Sequence, residues 1–465
     1  MSEKIGINLS YSQIFDVPNY NKITFGEVST DFKLCQKIID LIPNKYFQEP
    51  DKKWLDPCCG RGYFMIVLYN KLFKCLEFYL SDEKLRHQHI IENMLYMVEL
   101  NTELIPELHK IFGNDANIYN ENFLTFDNNE KYDFVIGNPP FNVGGIVKVP
   151  TNKIVDKRGD GKSIWKQFVV KSLDLLKGRG FMSMITPSIW MKRDHPVNPI
   201  LRQYKIRKLH TLTGNKTNEI FHGHAQTPTC YFCLQKIRSN KFPSMNKNIT
   251  IFDNSIKKYV EYYIGNTGSL PLNCVSVMKK MQGKLLQYGP IILKKTNMPH
   301  PSINLSNTQS ENYPHPNIKS CVLRDKIHPT LSINYSNREC PFANKPKLVL
   351  AHKMYGFPYY DVSGEYGISN RDNYVIYDRT DRDYKILKAF LSTKFAYYLY
   401  EATRYRMKYL EKYVYEMIPD ISKDNDIHYD CIDDEWIFNY FELDEIERFA
   451  ILNQTKRNYL SFPSP

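Results

Sequence analysis

Residues 54–64 read WLDPCCGRGYF. An apolar stretch carries an extended strand into Asp56, Gly60 and Gly62 then turn the chain, and a helix begins near Tyr63. A strand that ends in a glycine turn and feeds a helix leaves a crevice at its carboxyl end. Open α/β sheets hold ligands there, and the glycines let a ligand approach the backbone. Outward from this point the first half alternates short apolar runs with helix-like stretches. The pattern predicts strands over Lys53–Asp56, Met94–Glu99, Ile118–Tyr119, Asp133–Gly137 and Phe181–Thr186, with helices over Asp31–Ile42, Tyr63–Lys74, Thr102–Phe112 and Trp165–Lys177. Such alternation is the signature of an α/β fold, a mostly parallel sheet covered by helices. LEFYLSDEKLRHQHIIEN interrupts the rhythm and reads as an insertion over residues 75–93.

The crevice has a chemistry of its own. Glu99 closes the next strand, MLYMVEL, where a carboxylate can accept both hydroxyls of a ribose. The Lys-Ser/Thr pair of a phosphate-cradling loop is missing, so a nucleoside without a triphosphate fits better than ATP. In NIYNENFLTF, Asn122 can bond an adenine edge and Phe123 can stack on its face. Residues 131–142, KYDFVIGNPPFN, run a buried strand directly into Asn138, Pro139, Pro140 and Phe141. Each type has a task if the substrate is a planar exocyclic amine, whose lone pair is delocalised into its ring. The Asn138 side-chain oxygen and the Pro139 carbonyl can each accept one N–H, which localises that lone pair on a tetrahedral nitrogen. Two prolines stiffen the turn, and Phe141 can stack on the base.

The chain has 465 residues, 42% of them hydrophobic and 24% charged, which suggests several domains with sizeable cores. No apolar run approaches the ~18 residues of a membrane span and the first residues carry no export signal, so a soluble, intracellular protein is expected. Lys plus Arg is 62 against 50 for Asp plus Glu, a formal charge of +12 that suits a polyanionic partner. The ten cysteines have no disulfide-framework spacing. Cys230 and Cys233 form a CxxC, but TCYFCLQK reads as a strand with no second pair at zinc spacing, and no metal is expected. The polar, basic IRSNKFPSMNKN suits a linker, dividing the chain into domains 1–240 and 241–465. The second domain reads as α+β, with strands in KLVLAHK and YVIYD and a helix-like ILKAFLSTKFAYYLYEATRYRMKYL.

Taken together, these motifs closely resemble the amino-methylating DNA methyltransferases that use S-adenosylmethionine. The closest likeness is to the adenine-N6 group of type II restriction-modification systems with gamma-type order, in which the cofactor motif precedes NPPF and the target recognition domain comes last. The resemblance covers about residues 20–236 well and the remainder more loosely. It implies a Rossmann-like seven-stranded methyltransferase sheet, a C-terminal α+β target recognition domain, S-adenosylmethionine as cofactor, and double-stranded DNA whose adenine is swung out of the helix. Phe25, Gly26, Glu27, Val28, Ser29 and Thr30 look like the N-terminal motif, with Thr30 implied to hold the cofactor carboxylate. Asp56, Pro57, Gly60 and Gly62 match the cofactor loop, Glu99 the ribose ligand, and Asn138, Pro139, Pro140 and Phe141 the catalytic tetrapeptide. GFMSMITPSIWM resembles a later core strand. EIFHGHAQTPTCYFCLQK resembles the closing hairpin, whose Phe221 matches an aromatic that can cover the other face of the extruded base. One departure stands out: the family usually has an acidic residue before Phe in the third strand motif, and here the match is Asn122, whose amide oxygen can still accept a bond from adenine.

Lys148, Lys153, Lys157, Arg158 and Lys162 follow the tetrapeptide among glycines, in a loop that could close over DNA phosphates. In the second half, Arg404, Tyr405, Arg406, Lys408 and Tyr409 could meet phosphates or base edges. Other readings exist. An NPP-aromatic turn can present a protein glutamine amide or an RNA adenine equally well, but Phe rather than Tyr at 141, the long C-terminal domain and the positive charge favour DNA over a protein substrate. Cytosine-N4 chemistry more often accompanies Ser or Asp at position 138. A catalytically inactive DNA-binding protein could keep the fold, although the intact motifs speak against decay. A monomer is expected, with room for a separate restriction endonuclease as partner. Because the motifs begin near residue 25, no nuclease fused ahead of them is expected.

Overall fold

Asp31 accepts the Leu34 N–H at 2.7 Å and so caps α1 (Phe32–Ile39), whose Phe32, Leu34, Cys35, Ile38 and Ile39 are buried. The computed structural model describes residues 30–143, 163–223, 225, 227–238, 248–265, 268–324, 328–352, 356–405 and 410–454. Phe25, Gly26, Glu27, Val28, Ser29, Lys148, Lys153, Lys157, Arg158, Lys162, Arg406, Lys408 and Tyr409 lie outside the described residues. Two compact units are present: Met1–Trp190 with Asp194–Phe252, and Met191–Arg193 with Asp253–Pro465.

In the first unit the chain runs through β1 (Trp54–Asp56), α2 (Tyr63–Cys75), α3 (Glu83–His89), β2 (Leu95–Val98), α4 (Ile105–Phe112), β3 (Asn117–Tyr119) and β4 (Tyr132–Gly137). It continues through α5 (Trp165–Leu175), β5 (Leu176–Pro187), α6 (Val197–Arg202), β6 (Tyr204–Leu212), α7 (Gly214–Ile220), β7 (Thr229–Arg238) and β8 (Asn248–Asp253). Its strands lie in the order β3-β2-β1-β4-β5-β7-β6-β8. β1 pairs in parallel with both β2 and β4, and β4 with β5, whereas β7 is antiparallel to β5 and β6. The α/β expectation holds. The expected seven strands fall short, because β8 adds a further parallel pairing on β6 through Lys208–His210.

Strand order reverses between β1 and β4, so their carboxyl ends open a crevice between diverging connections, the usual ligand position in such sheets. Beneath it an aromatic column holds the central strands together. Trp54 stacks on its register partner Phe134 at 3.8 Å between ring centroids, and Phe134 lies 5.8 Å from Phe181. All three are buried, and each contributes about 1.5–3 kcal/mol by leaving water.

Several boundaries differ from expectation for local reasons. The segment from Thr102 begins as a 3-10 turn because Asn101 caps it, accepting the Glu103 N–H, before α4 takes over. The insertion read over residues 75–93 carries a helix and a π-helical turn. Asp82 accepts the N–H groups of Lys84 and Leu85 to start α3, and a π-helical turn, Ile90–Met94, feeds the chain into β2.

The second unit is α+β as expected. β10 (Lys294–Lys295), β14 (Lys347–Ala351), β15 (Tyr359–Asp361) and β17 (Asn373–Tyr377) make a sheet ordered β10-β17-β14-β15; β9 (Lys258–Tyr263) precedes them in the chain. A second sheet, β11-β13-β12-β16, uses β11 (Leu305–Ser306), β12 (His315–Arg324), β13 (His328–Ser336) and β16 (Gly367–Ile368). Helices α8 (Val275–Tyr288), α9 (Asp381–Leu391), α10 (Lys394–Tyr400), α11 (Asp434–Tyr440) and α12 (Glu445–Gln454) complete the unit. The single helix-like run read from Ile386 onward is broken at Ser392 and Thr393. Their hydroxyls donate to the Lys388 and Phe390 carbonyls, and Thr393 Oγ1 accepts the Ala396 N–H to cap a new helix. Tyr405, read as a DNA-contact candidate, is 2% exposed and donates its hydroxyl to the Leu270 carbonyl at 2.6 Å, so it packs.

Candidate active site

The turn after β1 is set by hydrogen bonds from its own backbone. Cys58 N–H donates to Asp56 Oδ1 at 3.1 Å, Cys59 N–H to the Val98 carbonyl at 3.0 Å, and Gly62 N–H to the Cys59 carbonyl at 2.8 Å. Gly62 has φ +77°, and a Cβ there would lie 2.8 Å from Phe112 Cε2, so both conformation and space require glycine. From this turn α2 starts with its first N–H groups at the crevice.

Glu99 bridges the floor. One carboxylate oxygen accepts the Gly60 N–H at 2.8 Å and the other the Asn101 N–H at 2.7 Å, while the side chain lines the cleft. A carboxylate oxygen carries lone pairs for more than one donor. Asn122 caps its own turn, its Oδ1 accepting the Leu124 N–H at 3.0 Å. Phe123 is buried and lies 5.3 Å from the Phe168 ring at an interplanar angle of 27°.

The NPPF turn meets the cofactor-loop turn through Asp56 and Cys58. Gly137 sits against Asp56, where a Cβ would come 2.8 Å from Oδ1, and the Cys58 thiol donates to the Asn138 carbonyl at 3.4 Å. Asn138 Nδ2 donates to Thr30 Oγ1 at 3.0 Å, whereas its Oδ1 is buried without a partner. Burial, reinforced by the charge of Glu99, pushes the Asp56 carboxyl up to about 8. Burial and the same two carboxylates push the Cys58 and Cys59 thiols well above their usual value, so neither is a thiolate nucleophile.

The structure thus brings Thr30, Pro57, Gly60, Glu99, Asn122, Phe123, Asn138 and Pro140 to one solvent-open cleft with a cavity volume of about 120 Å³. Asp56 and Gly62 shape that cleft from behind. Phe141 packs against the hydrophobic core, and its carbonyl accepts the Ile164 N–H at 3.1 Å; an Asn142–Ser163 bridge closes the same stem. Pro139 is buried within the turn. Phe221 is not brought to the cleft. It is 1% exposed and belongs to the core cluster. Sequence reading missed Asn101, Glu121 and Phe168, which also line the cleft. Asn101 had a signal in its capping position before Thr-Glu, whereas Phe168 arrives from a distant helix and had none.

The fold and cleft define a doubly wound α/β protein with an open crevice beside an amide-and-proline turn. Residues 64–221 match the Eco57I restriction-modification methylase family, about a third of the chain, and the resemblance read from the motifs is borne out. The matched segment includes Glu99, Asn122 and the whole NPPF turn, and ends at Phe221. An uncharacterized adenine-specific methylase of Mycoplasma pneumoniae is 23% identical over 36% of this chain and 56% of its own. The chain therefore spans little more than half the length of that relative. Among solved structures, the M protein of the type I restriction enzyme EcoKI is 18% identical over 49% of this chain and 48% of that one, with a TM-score of 0.36. The type IIG restriction endonuclease BpuSI is 11% identical over 90% of this chain and 61% of that one, with a TM-score of 0.42.

Proposed function

We propose that this protein methylates adenine N6 in double-stranded DNA, acting as a monomer on a base swung out of the helix, with S-adenosylmethionine as methyl donor. The observation that carries the reading is the buried, unpartnered Oδ1 of Asn138 at the lip of a cleft floored by Glu99. A buried acceptor left unmade costs about 1–3 kcal/mol, which a bound amine would recover.

The cleft fits the cofactor by its donor set. Glu99 offers carboxylate oxygens to a ribose, Phe123 an apolar wall to a purine, and the Gly60 turn a close backbone approach. Asn101 Nδ2, also buried and unpartnered, is a further donor at its wall. When bound, S-adenosylmethionine supplies an electrophilic methyl on a sulfonium centre. The chain's own residues prepare the nucleophile. Asn138 Oδ1 and the Pro139 carbonyl accept the two N–H groups of the exocyclic amine and turn its lone pair out of the ring plane. Swinging the base out costs a few kcal/mol, which stacking and hydrogen bonds in the pocket offset.

The test is expression in a methylation-deficient bacterium followed by sequencing of native DNA for modified adenines, which reads chemistry and target sequence together. Methylated adenine in RNA alone, or methyl label on a protein glutamine, would replace this reading. Asn138→Ala should cut turnover by roughly 10²-fold or more while calorimetry shows nearly unchanged cofactor binding. Normal turnover in that variant would remove Asn138 from the mechanism. The reading leaves room for a separately encoded restriction endonuclease.

A further inference from the structure

Thr30 stands immediately before the cap of α1 and is 5% exposed, and its bond to Asn138 is partly buried at the cleft wall. Its position is fixed from two directions: Asp31 caps the helix, and the Cys35 thiol donates to the Thr30 carbonyl at 3.7 Å. An asparagine amide has nearly the same shape in either orientation, but a half-turn exchanges an acceptor for a pair of donors. Only the orientation with Oδ1 toward the cleft can receive an amine. That orientation turns Nδ2 to the Thr30 side, where a partly buried donor needs an acceptor of its own. Thr30 Oγ1 is that acceptor, at 3.0 Å.

We infer that Thr30 is a positioning residue for the reaction: by accepting from Asn138 Nδ2 it holds the amide with Oδ1 turned to the substrate nitrogen. The inference rests on the adenine-N6 reading of the cleft and adds a role distinct from contact with the cofactor carboxylate. Thr30→Val keeps the shape and removes the acceptor. Its amide must then either leave Nδ2 buried and unbonded or turn a donor toward the amine.

Two measurements test this. With S-adenosylmethionine and DNA raised to saturation for each variant, whatever its Kd, turnover of Thr30→Val should still fall about tenfold or more, and Thr30→Ser should recover most of the rate. A weakened Kd with turnover unchanged at saturation would overturn the inference, because Thr30 would then serve the cofactor alone. The second readout needs no activity: in protein labelled with ¹⁵N-asparagine, the Asn138 side-chain amide resonance should shift in Thr30→Val and not in Thr30→Ser. A resonance indifferent to Thr30→Val overturns the inference. A wild-type protein that transfers no methyl to adenine, yet whose Asn138 resonance follows Thr30, would support the contact and remove the methyltransferase reading.

Discussion

Asp56 holds one carboxyl oxygen on the Cys58 N–H and buries the other without a partner. Its carboxyl is raised to about 8, well above the ~4 of an unfolded chain, by burial and by Glu99. Between those values the folded protein binds a proton that the unfolded chain has lost, so this group's contribution falls as pH rises from about 4 through about 8. Urea unfolding at several pH values should therefore show a shallower decline in Asp56→Asn than in the wild type; identical slopes would show that the carboxyl is not shifted. Asn122 is the other informative single residue. Its Oδ1 already accepts the Leu124 N–H and keeps one lone pair, whereas Asp would bring a second acceptor oxygen. Asn122→Asp should keep or tighten S-adenosylhomocysteine binding by calorimetry, and a large loss would show that this motif is misplaced. Glu99 and Asn138 were legible in the sequence because each ends a strand at the crevice. The Thr30–Asn138 bond was not, because it joins residues 108 apart in the chain.

At the scale of elements, glycines in one loop divide by what surrounds them. Gly60 has φ +53° with open space around it, whereas Gly62 combines φ +77° with Phe112 and Leu108 against the missing Cβ. Gly62→Ala should cost at least about 1–2 kcal/mol from left-handed backbone strain, plus displacement of the α4 ring. Gly60→Ala should cost less, and both are read from denaturant midpoints. Equal losses would show that the Phe112 contact is immaterial. The strand–turn–helix order over residues 54–64 was legible because its residue types admit few alternatives. The break between α9 and α10 was not, because an apolar periodicity continues across it while the hydroxyls of Ser392 and Thr393 redirect the backbone.

For the whole molecule, the formal charge of +12 makes counterion release the test of the proposed DNA partner. The affinity for duplex DNA should fall linearly in log–log form as salt rises, measured by fluorescence anisotropy with a labelled duplex. A flat response would remove phosphate contacts from the reading. Among the described residues no helix is long and apolar enough to cross a membrane. Tyr405 shows how a basic, tyrosine-rich segment misleads at this scale, since its ring and hydroxyl are taken up inside the unit.

By itself the sequence determined the α/β class, the crevice at the carboxyl end of β1, and the residue types that reach it, because strand ends, turns and prolines are fixed by local sterics. Only the tertiary structure decided which way those groups face. It bonded the Asn138 amide to Thr30, raised Asp56 by burial, and took Phe221 into the core rather than the cleft. The physical reason is that orientation, desolvation and partnership are properties of neighbours brought together from far along the chain, and periodicity carries no record of them.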